Sequence, residues 1–131
     1  GDSTDNCTYK SATIRAANNS NSNRITFVTG LAEDGISAMY LNRAIPATIA
    51  AATAIIGIAL DATNVMDVRG QFLTGTAGSF QVTFPAQATY KPQLVLHYVQ
   101  AVESGDTNTA TFIGGTAAGQ TEAVLSFRGR M

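Results

Sequence analysis

The chain has 131 residues, 45% of them hydrophobic, enough for one domain with a sizeable core and too apolar for a disordered segment. Charged residues make up only 13%, about half the usual share, and the net charge is -1. The eight basic residues (Lys10, Arg15, Arg24, Arg43, Arg69, Lys91, Arg128 and Arg130) form no stripe, which argues against a nucleic-acid partner.

Residues 1–7 read as a linker, because the chain begins on Gly1 without Met, as a fragment or processed product of a longer protein would. From Thr8 onward, short alternating runs are bounded by turn residues. "TYKSATIRA" (Thr8 to Ala16) predicts a strand, and "NNSNSN" (Asn18 to Asn23) a loop. "RITFVTG" sets Ile25 and Phe27 against Thr26 and Val28, and "GISAMYLNRAIP" sets Ile36, Ala38 and Tyr40 against Ser37, Met39 and Leu41. Pro46 suits a first helical position, so a short helical turn is expected over Ala47–Ala52. The β-branched "TAIIGI" then returns the chain to a strand buried on both sides, followed by an "ATN" turn. "GQFLTG" is a short strand, and "SFQVTFPA" points Phe80, Val82 and Phe84 inward against Gln81 and Thr83. "LVLHYVQAVES", "TATFIGG" and "TEAVLSFRG" complete the set. About nine strands, with turn signals roughly every 8–15 residues, predict an all-β fold over residues 8–131: an antiparallel β-sandwich of jelly-roll type with about 8–10 strands.

The strand "LVLHYVQAV" is apolar on both faces, with Leu94, Leu96, Tyr98 and Val102 opposing Val95, His97, Val99 and Ala101. An antiparallel sheet ordinarily wets one face, so the second face needs cover. A second copy of the chain is the simplest supplier, which makes Val95, His97, Val99 and Ala101 an expected oligomer interface, and the low charge content points the same way. A loop of the same chain is the competing cover.

Chemical signatures are sparse. His97 is the only histidine, and Glu103 lies six residues further along an extended strand, roughly 20 Å away at about 3.3 Å per residue. That spacing dissolves the apparent acid–base cluster and leaves His97 as a packed core or interface residue. "ESGDTNT" (Glu103 to Thr109) carries Asp106 and Asn108 in cation-ligand alternation but without the spaced acids of an EF-hand, so it reads as turn chemistry. Nothing draws two carboxylates into the pairing that glycoside hydrolysis requires. Cys7 is alone, which excludes an intramolecular disulfide and a thiolate zinc site and fits assembly in a reducing cytoplasm. The longest weakly polar run, Ala44 to Leu60, is too short and too interrupted for a spanning helix. No catalytic, cofactor-binding or metal-binding residue is assigned, and no cofactor is expected.

"YKSATIRAANNSNSNRITFVTG" (Tyr9 to Gly30), "IGIALDATN" (Ile56 to Asn64) and "LHYVQAVESGDTNTATFIGG" (Leu96 to Gly115) resemble the C-terminal β domain of tailed-bacteriophage fibre and appendage proteins. In that family a strand, an Asn-rich turn, a strand ending in Gly, a "G-I-G-L-D-S-T" strand end and a His-Tyr strand leading to a Gly/Asn turn follow in this order. The first-strand aromatic of the family is replaced here by Ile14, and "LSFRGRM" follows no family pattern. The resemblance implies a trimeric jelly roll displayed on a virion, and does not by itself separate receptor binding from head decoration or the sealing of an assembly. The preferred role is host attachment through a surface glycan or protein, with other virion proteins as contacts, assembly in the host cytoplasm and no membrane insertion. Its receptor-facing candidates are Asn19, Asn21, Asn64, Asp106 and Asn108, in the loops Asn18–Asn23, Thr63–Asp67 and Gly105–Thr109, together with Thr74–Ser79. Tyr90 is the aromatic suited to stacking on a sugar. Three readings compete with host attachment: a capsid or head decoration that stabilises the particle, a polysaccharide-degrading appendage enzyme, and a barrel that binds a soluble ligand.

Overall fold

The structure is a computed structural model that describes residues 6–29, 35–46, 53–73, 82–91, 94–113 and 123–129. Ten strands lie within these residues: β1 (Asn6–Tyr9), β2 (Arg15–Ala16), β3 (Arg24–Thr29), β4 (Ile36–Pro46), β5 (Thr53–Leu60), β6 (Val68–Leu73), β7 (Val82–Tyr90), β8 (Val95–Ser104), β9 (Ala110–Ile113) and β10 (Val124–Arg128). All pairings are antiparallel, and they nest. β5 pairs with β6, β4 with β7, β2 and β3 together with β8, and β1 with β9. Successive pairs of this long hairpin fall alternately into one sheet and the other. β5 then joins β8, and β9 joins β4. One sheet therefore reads β1-β9-β4-β7, with β10 beside β9 on the same edge of β4, and the other reads β2/β3-β8-β5-β6. A hairpin of four nested pairs rolled into two sheets is a jelly roll.

The period-2 alternation does what the residue pattern demands. Ile36, Ala38 and Tyr40 of β4, Ala54, Ile56 and Ile58 of β5, and Val99 and Ala101 of β8 meet between the sheets. Phe27, Phe84 and Phe112 join them. Burying an apolar side chain of this size contributes about 1.5–3 kcal/mol, so the interior supplies the main stabilising term. Phe84, Ala86 and Ala88 of β7 point inward while Thr83, Gln87 and Thr89 stay exposed. The small alanines let the sheets approach. Gly70 of β6 does the same at the sandwich edge, where a Cβ would stand 2.1 Å from the Pro85 carbonyl oxygen.

Local chemistry corrects several expectations. The single strand expected over Thr8 to Ala16 is two strands in opposite sheets. Ser11 breaks it: its hydroxyl accepts from Thr13 N–H at 3.1 Å, its carbonyl accepts from Gly105 N–H at 2.7 Å, and Tyr9 Oη donates to the Thr13 carbonyl at 2.6 Å. β1 begins at Asn6, so Asn6 and Cys7 belong to the sheet and not to a linker. The helical turn expected over Ala47–Ala52 lies outside the described residues, as do Phe80 and Gln81. A 3-10 turn forms at Ala17–Asn19, at the start of the Asn-rich loop, where Asn18 and Asn19 adopt positive φ.

Candidate functional site

β8 carries the chain's histidine at one end and a fully buried carboxylate at the other. Its inner row is His97, Val99, Ala101 and Glu103, and its outer row is Leu96, Tyr98, Gln100 and Val102. The loop between β2 and β3 covers the outer row at its second half: Gln100 Nε2 donates to the Asn23 carbonyl at 2.9 Å, and Asn23 Nδ2 donates to the Ala17 carbonyl at 3.0 Å. Arg24 closes the row by donating to Gln100 Oε1 at 3.0 Å while its guanidinium lies 3.9 Å over the Tyr98 ring. A loop of the same chain thus supplies the cover for Gln100.

The expected interface of Val95, His97, Val99 and Ala101 is corrected at Val99 and Ala101. Val99 and Ala101 are fully buried in the chain's own core and have no surface to offer a second copy. The uncovered residues are at the start of β8. Leu96 is 64% exposed beside its cross-strand partner Val28 at 55%, with Leu94 at 49% and Val95 at 67%. Val95 also has φ of 70°, a conformation a β-branched residue rarely takes, which turns the strand at its first residue.

His97 sits at this same end. Its ring is 6.1 Å from Phe27, which stacks at 4.7 Å on Phe127 of β10. Nδ1 is 2.5 Å from Asp61 Oδ2, and Nε2 is 2.6 Å from the Leu94 carbonyl oxygen. Asp61 follows β5 with φ of 55°, which an aspartate tolerates, and is bound to β8 twice more: its N–H donates to the Tyr98 carbonyl, and its Oδ1 accepts from Tyr98 N–H, both at 2.9 Å. Both oxygens facing the ring are acceptors only, so both ring nitrogens must donate and the imidazolium is the favoured form. The hydrogen bond to Asp61 raises the His97 pKa above 6.5, against a smaller opposing effect of burial. A ring bound this way offers no lone pair to a proton or a metal.

At the other end of β8, Glu103 is fully buried and Arg15 of β2 stands opposite it in register. Arg15 Nε and Nη2 lie 2.8 and 2.7 Å from Glu103 Oε1, and the guanidinium lies 3.7 Å over the Tyr9 ring. Glu103 is therefore a core carboxylate and not a turn acid. Asp106 behaves as turn chemistry requires, accepting from Thr53 N–H at 2.8 Å and Asn108 N–H at 2.7 Å. Burial pushes its pKa up, but these backbone donors outweigh burial and hold it below 3.8.

Among the loop candidates, Asn19, Asn21 and Asn64 are exposed, while Asp106 and Asn108 are half-buried. They do not converge. The register of β5 on β8 puts Asn64 at the His97 end and Asp106 and Asn108 at the Glu103 end, with Asn19 and Asn21 in the loop along the β8 edge. The Thr74–Ser79 loop lies outside the described residues. Tyr90 is not available for stacking on a sugar, since it is half-buried and donates to Asp67 Oδ2 at 2.9 Å, and burial with that carboxylate pushes its pKa far up. A cleft of about 490 Å³ runs beside β5 and β6 between Ile14, Ile55, Met66, Val68 and Arg69. Its carboxylate, Asp67, is the one already bound by Tyr90 and by Leu60 N–H.

Sequence reasoning missed Asp61 and Arg15. Glu103 carried a usable signal, because it falls in phase with Val99 and Ala101, and a carboxylate on a core face demands a cation. Asp61 carried none beyond its place at a strand end. Among the described residues no group of His, Cys, Asp and Glu is arranged to hold a metal ion, and no helix is long and apolar enough to cross a membrane. No known protein family, curated protein or solved structure matches the chain.

Proposed function

We propose that this domain is a non-enzymatic structural module of a virion, a jelly roll that trimerises through the start of β8 and is displayed on a tailed-phage fibre or spike for host attachment. The observation that carries the reading is the exposed apolar corner that Leu94, Val95 and Leu96 at the start of β8 form with Val28 of β3. Monomeric proteins rarely leave clustered large apolar side chains to water, and such clusters mark association sites. The jelly-roll topology is one that viral capsid and lectin domains use, and the family resemblance supplies the number three and the virion setting.

Light scattering on the purified chain tests the assembly, with three times the 13.6 kDa chain mass expected and Leu96→Asp shifting it to the monomer. A wild-type monomer at micromolar concentration overturns the assembly. Binding of labelled protein to host cells, abolished by unlabelled competitor, tests attachment. The engagement of Tyr90 by Asp67 favours a second reading, a head decoration that touches only other virion proteins. Gold labelling of particles separates the two, at the tail for attachment and at the head for decoration.

A further inference from the structure

The His97 bonds do more than fix a side chain. The carbonyl that His97 Nε2 holds belongs to Leu94, the residue just before the strained Val95, and the carboxylate on Nδ1 belongs to the β5–β6 turn. The ring therefore ties the first residues of β8, which are the exposed apolar corner, to a turn that is itself bonded to Tyr98. We propose that His97 is a protonation-dependent clamp which holds the Leu94–Leu96 corner in its displayed geometry, so that self-association through this corner is strong while the ring is protonated and is lost as the pH rises and the ring gives up its proton. The regulation rests on the assembly proposed above; the clamp itself does not.

The chemistry allows only one direction. A neutral imidazole has one N–H, so losing the proton turns one nitrogen's lone pair toward an oxygen lone pair, and one of the two tethers must open. The other charged groups near the ring do not substitute for Asp61. On β3, Arg24 is spent on Gln100 and Tyr98, and Phe27 is the residue opposite the ring. On the turn, Asp67 is taken by Leu60 and Tyr90. On β10, Phe127 lies behind Phe27 and Arg128 is exposed. Lys91 precedes the corner in the chain and is exposed. Among the described residues Asp61 alone contacts the ring with a charge.

His97 is the chain's only histidine, so its ring proton resonances need no assignment. Titration of the purified chain by NMR should give a midpoint above 6.5, falling back toward 6.5 in Asp61→Asn, which keeps an oxygen for Tyr98 N–H and tolerates positive φ. Amide exchange of Leu96 and Tyr98 should accelerate through the same midpoint beyond the intrinsic base catalysis seen at a reference amide such as Val102, and His97→Gln should be accelerated at every pH. Sedimentation across the range from about pH 6 to about pH 9 should show the oligomer dissociating at that midpoint. A wild-type midpoint at or below 6.5, or exchange at Leu96 and Tyr98 that tracks Val102, overturns the clamp. Normal titration and exchange with an unchanging mass overturns the coupling to assembly; if that mass is the monomer's, the trimer falls as well while the clamp stands.

Discussion

Replacing Arg15 by Met removes a cation that is paired with a fully buried carboxylate. Glu103 has no solvent-exposed side-chain surface, whereas Arg15 retains 21%. Breaking a buried pair by deleting one partner costs about 3–5 kcal/mol, because the remaining charge is stranded in a poorly polarisable interior. The partial exposure of Arg15 lets water approach the stranded carboxylate, so the low end, about 3 kcal/mol, applies. Loss of the guanidinium over Tyr9 adds to it by roughly 0.5–1 kcal/mol. With an unfolding entropy near 2.1 cal/mol/K per residue, a chain of this length loses about 10 °C of Tm for 3 kcal/mol. Thermal and urea unfolding followed by far-UV circular dichroism read the loss directly. Arg15→Met combined with Glu103→Gln should recover at least half of it, because the amide carries no charge to strand. A single Arg15→Met variant within about 1 kcal/mol of wild type, or a double variant no more stable than the single, refutes the reasoning.

Gly70→Ala should destabilise by about 1–3 kcal/mol, seen as a lower urea midpoint, because the new Cβ meets the backbone oxygen of Pro85 and no side chain can move aside. The raised folded-state pKa of His97 makes its contribution to stability complete below 6.5 and lost as pH rises through the folded value; Tm measured upward from about pH 6 should fall more in wild type than in His97→Gln. Asp106 has the opposite sign. Its lowered pKa gives a contribution present above 3.8 and lost as pH falls through the folded value, so Asp106→Ala should flatten the acid limb of the stability curve and leave the alkaline limb unchanged.

Much of the fold was legible locally. The alternation of Ile36, Ala38 and Tyr40 and the two-sided burial of Thr53–Leu60 follow from side chains a few residues apart, and a strand's period of two needs no tertiary information. The same logic failed at Ser11, where a hydroxyl and a carbonyl offered the backbone a turn that outcompeted the ladder. It also failed for Tyr90, whose hydroxyl partner lies 23 residues earlier in the chain.

The sequence by itself determined that this is an all-β chain with one unusual strand, apolar on both faces and carrying the only histidine. Tertiary structure decided what each face meets. The loop between β2 and β3 covers Gln100, the core takes Val99 and Ala101, and water is left with Leu94, Val95 and Leu96. It also chose the partners of the charged groups, Asp61 for His97 at 36 residues' separation and Arg15 for Glu103 at 88. The physical reason is that strand formation is a property of neighbouring residues, whereas a hydrogen bond or ion pair is a property of atoms in contact. In a jelly roll most of those contacts join residues far apart in the chain.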